Sequence, residues 1–93
     1  MKVLVVIFSL IALSQPATAQ EPPFPTKGNI ELTVLFAAGS SADVTARLLA
    51  EGMSKNLPGN VIVVNRPGAG GAIGYKYVAS QKPDGYALGW NSN

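Results

Sequence analysis

The chain has 93 residues, with 7 Lys and Arg against 5 Asp and Glu, and contains neither cysteine nor histidine. That composition excludes disulfides and a lipid-modified cysteine. It also removes the commonest metal ligand and general base, so zinc sites and Ser-His or Cys-His catalysis are closed to this chain alone, and no metal or other cofactor is expected. The basic residues stand singly, leaving no stripe to track a phosphate backbone, so no nucleic acid partner is expected.

Residues 1–19 have the three parts of a secretory signal peptide. Lys2 supplies the positive start, Val3 to Leu13 is an apolar run broken only by Ser9, and Pro16 ends any helix. Ala17-Thr18-Ala19 then forms a small-x-small site, which places the cut between Ala19 and Gln20. A membrane-spanning helix needs about 20 apolar residues, more than this run has. The mature segment is therefore expected outside the cytoplasm, in the periplasm.

Residues 20–29, with Pro22, Pro23 and Pro25, read as an extended lead-in. From Ile30 to Phe36 the pattern alternates and predicts a strand. Ile30, Leu32, Val34 and Phe36 lie on one face; Glu31, Thr33 and Leu35 lie on the other. A short loop precedes a helix over about 41–56, whose stripe of Val44, Leu48, Leu49, Met53 and Leu57 is expected to face the core. Ser40 and Asp43 resemble a capping box with aspartate in place of glutamate, and Pro58-Gly59 stops the helix. Val61 to Val64 is a β-branched run suited to a strand buried on both faces. A glycine-rich turn, 66–71, leads into a second helix over about 71–81 that is expected to bury Ile73, Tyr77 and Val78. Lys82-Pro83-Asp84-Gly85 is a turn, and a third strand follows from Tyr86 to Trp90. The β-α-β-α-β order with short connections predicts an α/β fold with a parallel sheet. Two short helices can scarcely cover such a sheet, so Asn93 reads as a truncation point.

Two loops invite a ligand. Phe36, Ala37, Ala38, Gly39, Ser40 and Ser41 join the carboxyl end of a strand to a helix start, and Asp43 opens that helix. Backbone N–H groups and the helix dipole attract a carboxylate or phosphate there, small residues admit a close approach, and the serines add hydroxyls. The same residues also make an ordinary capped helix start, and Asp43 suits a cap better than a ligand contact. The glycines at 68, 70, 71 and 74 sit in a strand-turn-helix, but their spacing is not G-x-G-x-x-G, no acid ends the following strand, and no Walker lysine is present. They suit a tight turn and close helix-on-sheet packing better than a nucleotide. Arg66 could pair with a ligand acid, but alone before a proline it reads better as a surface residue.

Taken in order, FAAGSSADVTARLLAEGMSK, VVNRPGAGGAIGYKYVAS and KPDGYALGW resemble the Bug family of extracytoplasmic solute receptors, the binding proteins of tripartite tricarboxylate transporters. The likeness runs from Phe24 to Trp90. It implies a non-enzymatic, two-lobed periplasmic-binding-protein fold (type II) that closes on a small organic carboxylate, a di- or tricarboxylate or related acid, and delivers it to a membrane permease. At full length such a receptor is expected to be monomeric. Residues 30–93 would be an incomplete opening half of its first lobe. By the same resemblance, the loop from Phe36 to Ser41 grips the carboxylate through backbone groups and waters, and Asn91 and Ser92 face the cleft. Two positions depart from the common pattern: Ala37 stands for proline and Ser40 for glycine. Ser40 either narrows the backbone approach or adds a donor. Residues 20–93 alone, lacking a second lobe, are expected to bind no carboxylate with useful affinity. The competing readings are a non-functional truncated remnant and, opposed by the signal peptide, a nucleotide-binding enzyme fragment.

Overall fold

The computed structural model describes residues 22–92. The signal peptide and its cut after Ala19 lie outside them. The elements are β1 (Ile30–Val34), α1 (Ser41–Asn56), β2 (Val61–Asn65), a single 3-10 turn (Ala69–Gly71), α2 (Ala72–Ser80) and β3 (Ala87–Trp90). The three strands form one parallel sheet in the order β2-β1-β3. The first strand thus ends up in the middle, and the chain crosses over it to place β3.

Ile30, Leu32 and Val34 turn one face of β1 to α1 and are buried with Ala42, Ala46, Ala50 and Val61. The strand stops at Val34, short of the expected Phe36. Its neighbour β3 ends at the paired residue, Trp90, and the Leu35 N–H makes a last bond to the Trp90 carbonyl at 3.3 Å. Beyond it the chain bends away from the sheet to reach α1.

The apolar stripe expected on the first helix is not the buried one. Val44 is 52% exposed, Leu48 65% and Leu49 40%, whereas Ala42, Asp43, Ala46 and Ala50 are buried and Met53 and Leu57 partly so. Alanines four residues apart form a smooth ridge, which lets the helix lie close against the branched residues of β1. α2 differs in the same way. Ile73 is exposed, Tyr77 and Val78 are half-buried, and Gly74 is the buried residue. A Cβ on Gly74 would collide with the Leu35 side chain and stand 2.9 Å from the Arg66 carbonyl. Glycine is what permits this contact.

β2 is an edge strand and is not buried on both faces: Ile62 is 45% exposed. α1 lies over β1 and β2, and α2 lies over β1 and β3. Ile62 shares the α2 face through its register with Glu31, but α2 does not extend over β2. The lead-in turns at Pro23–Thr26, where Thr26 N–H donates to the Pro23 carbonyl at 3.0 Å. It is tied to the sheet by the edge of Phe24 on Tyr86 (centroids 5.1 Å apart) and by Lys27 N–H to the Tyr86 hydroxyl at 3.0 Å.

Candidate functional site

The loop at the carboxyl end of β1 is built from its backbone. Gly39 has φ of 86°, in the left-handed region, with open space around it. Ser40 N–H donates to the Ala37 carbonyl at 3.1 Å. Ser40 is the N-cap of α1, and its hydroxyl accepts the Asp43 N–H at 3.2 Å. The Asp43 carboxylate does not return to Ser40, as a capping box would have it. The Ser40 N–H is already taken, and Asp43 Oδ2 accepts the Gly39 N–H at 2.9 Å. The loop residues Ala37, Ala38, Gly39 and Ser41 are exposed, while Phe36 and Ser40 are half-buried. The N–H groups of Ala37, Ala38 and Ser41 make no hydrogen bond among the described residues. They stand at the positive end of a helix of 16 residues.

Asp43 faces inward. Besides Gly39, it accepts from Asn65 Nδ2 at 2.9 Å and from Arg47 Nε at 3.1 and 3.2 Å. The Gly39 backbone bond, then Asn65, then Arg47 hold its carboxyl well below the ordinary range, at about 2. It is therefore ionised and paired with Arg47, and it ties the middle of the loop to the first turn of α1. Asn65 also donates to the Phe36 carbonyl at 3.2 Å and accepts from Arg47 Nη2 at 3.1 Å. Neither Asn65 nor Arg47 stood out in the sequence. Arg47 lies four residues after Asp43, a spacing that offered a signal, but the approach of Asn65 from β2 offered none.

Asn91 and Ser92 follow β3, and both are exposed. Because β3 pairs with β1, they lie at the same end of the sheet as the 36–41 loop. Asn91 borders a separate open cleft of about 320 Å³, shared with Leu35, Tyr75, Val78, Ala79 and Gly89, on the α2 side. Trp90, just before them, donates its indole N–H to the Thr45 hydroxyl at 3.2 Å, and that hydroxyl donates to the Ser41 carbonyl at 2.9 Å. β3 is thereby linked to the start of α1.

Arg66 is not a free surface residue. Its guanidinium lies 3.5 Å above the Tyr77 ring and donates to the Thr33 hydroxyl at 3.1 Å. It sits 2.9 Å from Glu31 Oε1, without an N–H aimed along that contact. The glycines around it serve the turn: Gly68, Gly70 and Gly71 all have positive φ. Gly71, at the start of α2, lies against the Leu35 side chain. No group of three or more potential metal ligands occurs among the described residues, and no helix there is long and apolar enough to cross a membrane.

Residues 45–93 match the family model of the tripartite tricarboxylate transporter family receptor, TctC. The chain belongs to this family. TctC proteins are transporter binding proteins and not enzymes. Among curated relatives, the chain is 51% identical over 84 residues to a UPF0065 protein of Bordetella bronchiseptica, covering 90% of this chain and 24% of the relative. It is 46% identical over 59 residues to BugT of Bordetella pertussis, covering 63% of this chain and 18% of the relative. Among solved structures it is similar to the periplasmic binding protein BugD, with 44% identity and a TM-score of 0.64 over 68% of this chain and 21% of that one. A protein from R. palustris, solved with adipate, has 35% identity and a TM-score of 0.68 over 71% of this chain and 22% of that one. The chain spans about a quarter of the length of the curated relatives first matched, which the 24% and 23% coverages express. The small parallel α/β unit thus matches part of a TctC receptor fold.

Proposed function

We propose that this chain is the opening part of the first lobe of an extracytoplasmic receptor that takes a small organic carboxylate and delivers it to a tripartite transporter's permease. The supporting observation is the loop of residues 36–41. It presents exposed backbone N–H groups, without partners among the described residues, at the amino end of α1, at the carboxyl edge of the sheet where α/β folds take ligands. The related R. palustris protein was solved with adipate, a small dicarboxylate, which supports a ligand of this class. In this reading Ala37, Ala38 and Ser41 offer donors to the carboxylate. Ser40 spends its hydroxyl oxygen on the helix cap and shapes the loop rather than narrowing it. Asp43 is a positioning residue, and Asn91 and Ser92 complete the rim from β3. Residues 1–19 direct export and are removed after Ala19.

The test is calorimetric titration of adipate and citrate into the protein isolated from its host's periplasm, with its intact mass measured in the same sample. Saturable binding is expected from a product of the relatives' length beginning at Gln20. Residues 20–93 alone should give none. A periplasmic product that binds neither acid, or one no heavier than residues 20–93, would remove the receptor reading in favour of a remnant.

A further inference from the structure

We infer that Asn65, at the end of β2, is the positioning residue that shapes the 36–41 loop. This inference rests on the carboxylate-receptor reading for its purpose but not for its geometry. Among the described residues, Asn65 is the one side chain from outside the loop and α1 that bonds both ends of the turn. Its amide donates to the Phe36 carbonyl at 3.2 Å, where the chain leaves the sheet, and to Asp43 Oδ1 at 2.9 Å. The same carboxylate holds the Gly39 N–H in the middle of the turn. The side-chain oxygen accepts from Arg47 Nη2 at 3.1 Å, so both amide hydrogens and the oxygen are engaged. The amide orientation follows from its partners: Arg47 only donates, while a carbonyl and a carboxylate only accept.

A bond to each end of a short loop restricts it more than either bond alone, because the remaining backbone freedom lies between two fixed points. β2 is hydrogen-bonded along its length to β1, so Asn65 refers the loop to the sheet itself. The N–H groups of Ala38 and Ser41 are then held in place before any ligand arrives. An aspartate at 65 has nearly the same shape, yet it would set a second carboxylate against Asp43 and the Phe36 carbonyl. Asn65→Asp therefore separates hydrogen-bond direction from packing.

The experiment compares the receptor isolated from its host with its Asn65→Asp, Asn65→Ala and Val61→Ala variants. It records the Gly39 and Ser41 amide resonances without ligand and then titrates adipate at a temperature where each variant is folded. Val61 is buried at the far end of the same strand and controls for lost stability. The two Asn65 variants should move both amide resonances and weaken adipate by at least about tenfold, as expected when a prearranged site is loosened. Val61→Ala should lower the melting temperature and leave both readouts unchanged. Amide resonances that stay put in both Asn65 variants, or that move equally in Val61→Ala, would overturn the inference. If neither Asn65 variant folds, solvent exchange of the Asn65 side-chain amide in the wild type decides: slow exchange upholds the bonds, and free exchange refutes them. A wild type that ignores adipate counts against the receptor reading, and the Gly39 and Ser41 resonances still settle the role of Asn65.

Discussion

The Asp43 carboxylate holds the 36–41 loop from inside, bonded to Gly39, Asn65 and Arg47. Its three partners favour the ionised form, so its folded pKa lies at about 2, below the value of about 4 expected in an unfolded chain. A depressed folded pKa stabilises the protein above the unfolded value, and that contribution is lost as pH falls toward the folded one. The melting temperature should thus fall between about pH 4 and pH 2. Asp43→Asn should melt lower than the wild type at neutral pH and show a shallower fall in that window. Thermal melts across the acid range, followed by circular dichroism, check both. The Arg66 guanidinium sits over the Tyr77 ring, donates to Thr33 and lies 2.9 Å from Glu31; an ammonium could keep the ion pair but not all three contacts at once. Arg66→Lys should lower stability by about 1 kcal/mol, measured by denaturant unfolding.

At the scale of elements, both helices meet the sheet through small residues. Ala42, Ala46 and Ala50 line the buried face of α1, and Gly74 lets α2 approach Leu35 and the Arg66 carbonyl. Ala46→Leu would force extra volume between α1 and β1 and should destabilise by about 1–3 kcal/mol. Gly74→Ala should fall in a similar range of about 1–3 kcal/mol, because the colliding atoms belong to a buried side chain and the backbone. The opposite result is expected on the outer face of α1. Leu48→Gln, at a residue 65% exposed, should change stability by less than about 0.5 kcal/mol. Urea midpoints for the three variants test this ordering, and an Ala46→Leu variant as stable as Leu48→Gln would contradict this packing.

At the scale of the molecule, the described residues leave apolar side chains in solvent on several sides: Val44, Leu48 and Leu49 on α1, Ile62 on β2, and Ile73 and Tyr75 on α2. Purified residues 22–92 should therefore bind a hydrophobic dye and self-associate as concentration rises, and Val44→Thr with Leu48→Gln should reduce both. Dye fluorescence and sedimentation measure this.

Much of the element plan was legible locally. Alternation in Ile30–Val34, the Ser40 cap, Pro58 and the Lys82–Gly85 turn act over a few residues, so they mark the β-α-β-α-β order without reference to the rest of the chain. The position of the loop after β1 was legible for the same reason, since a strand end, small residues and a helix start are contiguous. The buried face of α1 was not. Periodicity favours the larger residues, but what packs is set by how close the helix must come to β1, and alanine wins there. The exposure of Ile62 was likewise hidden, because a β-branched run reads the same in a central strand and at an edge. Asn65 reaches Asp43 from β2, and Thr33 and Tyr77 reach Arg66 from β1 and α2; these partners are separated in sequence and joined only when the sheet forms. Chemistry contiguous in sequence set the elements and the place of the loop; what faces inward and what holds the loop in shape depend on distances between segments, which only the assembled sheet supplies.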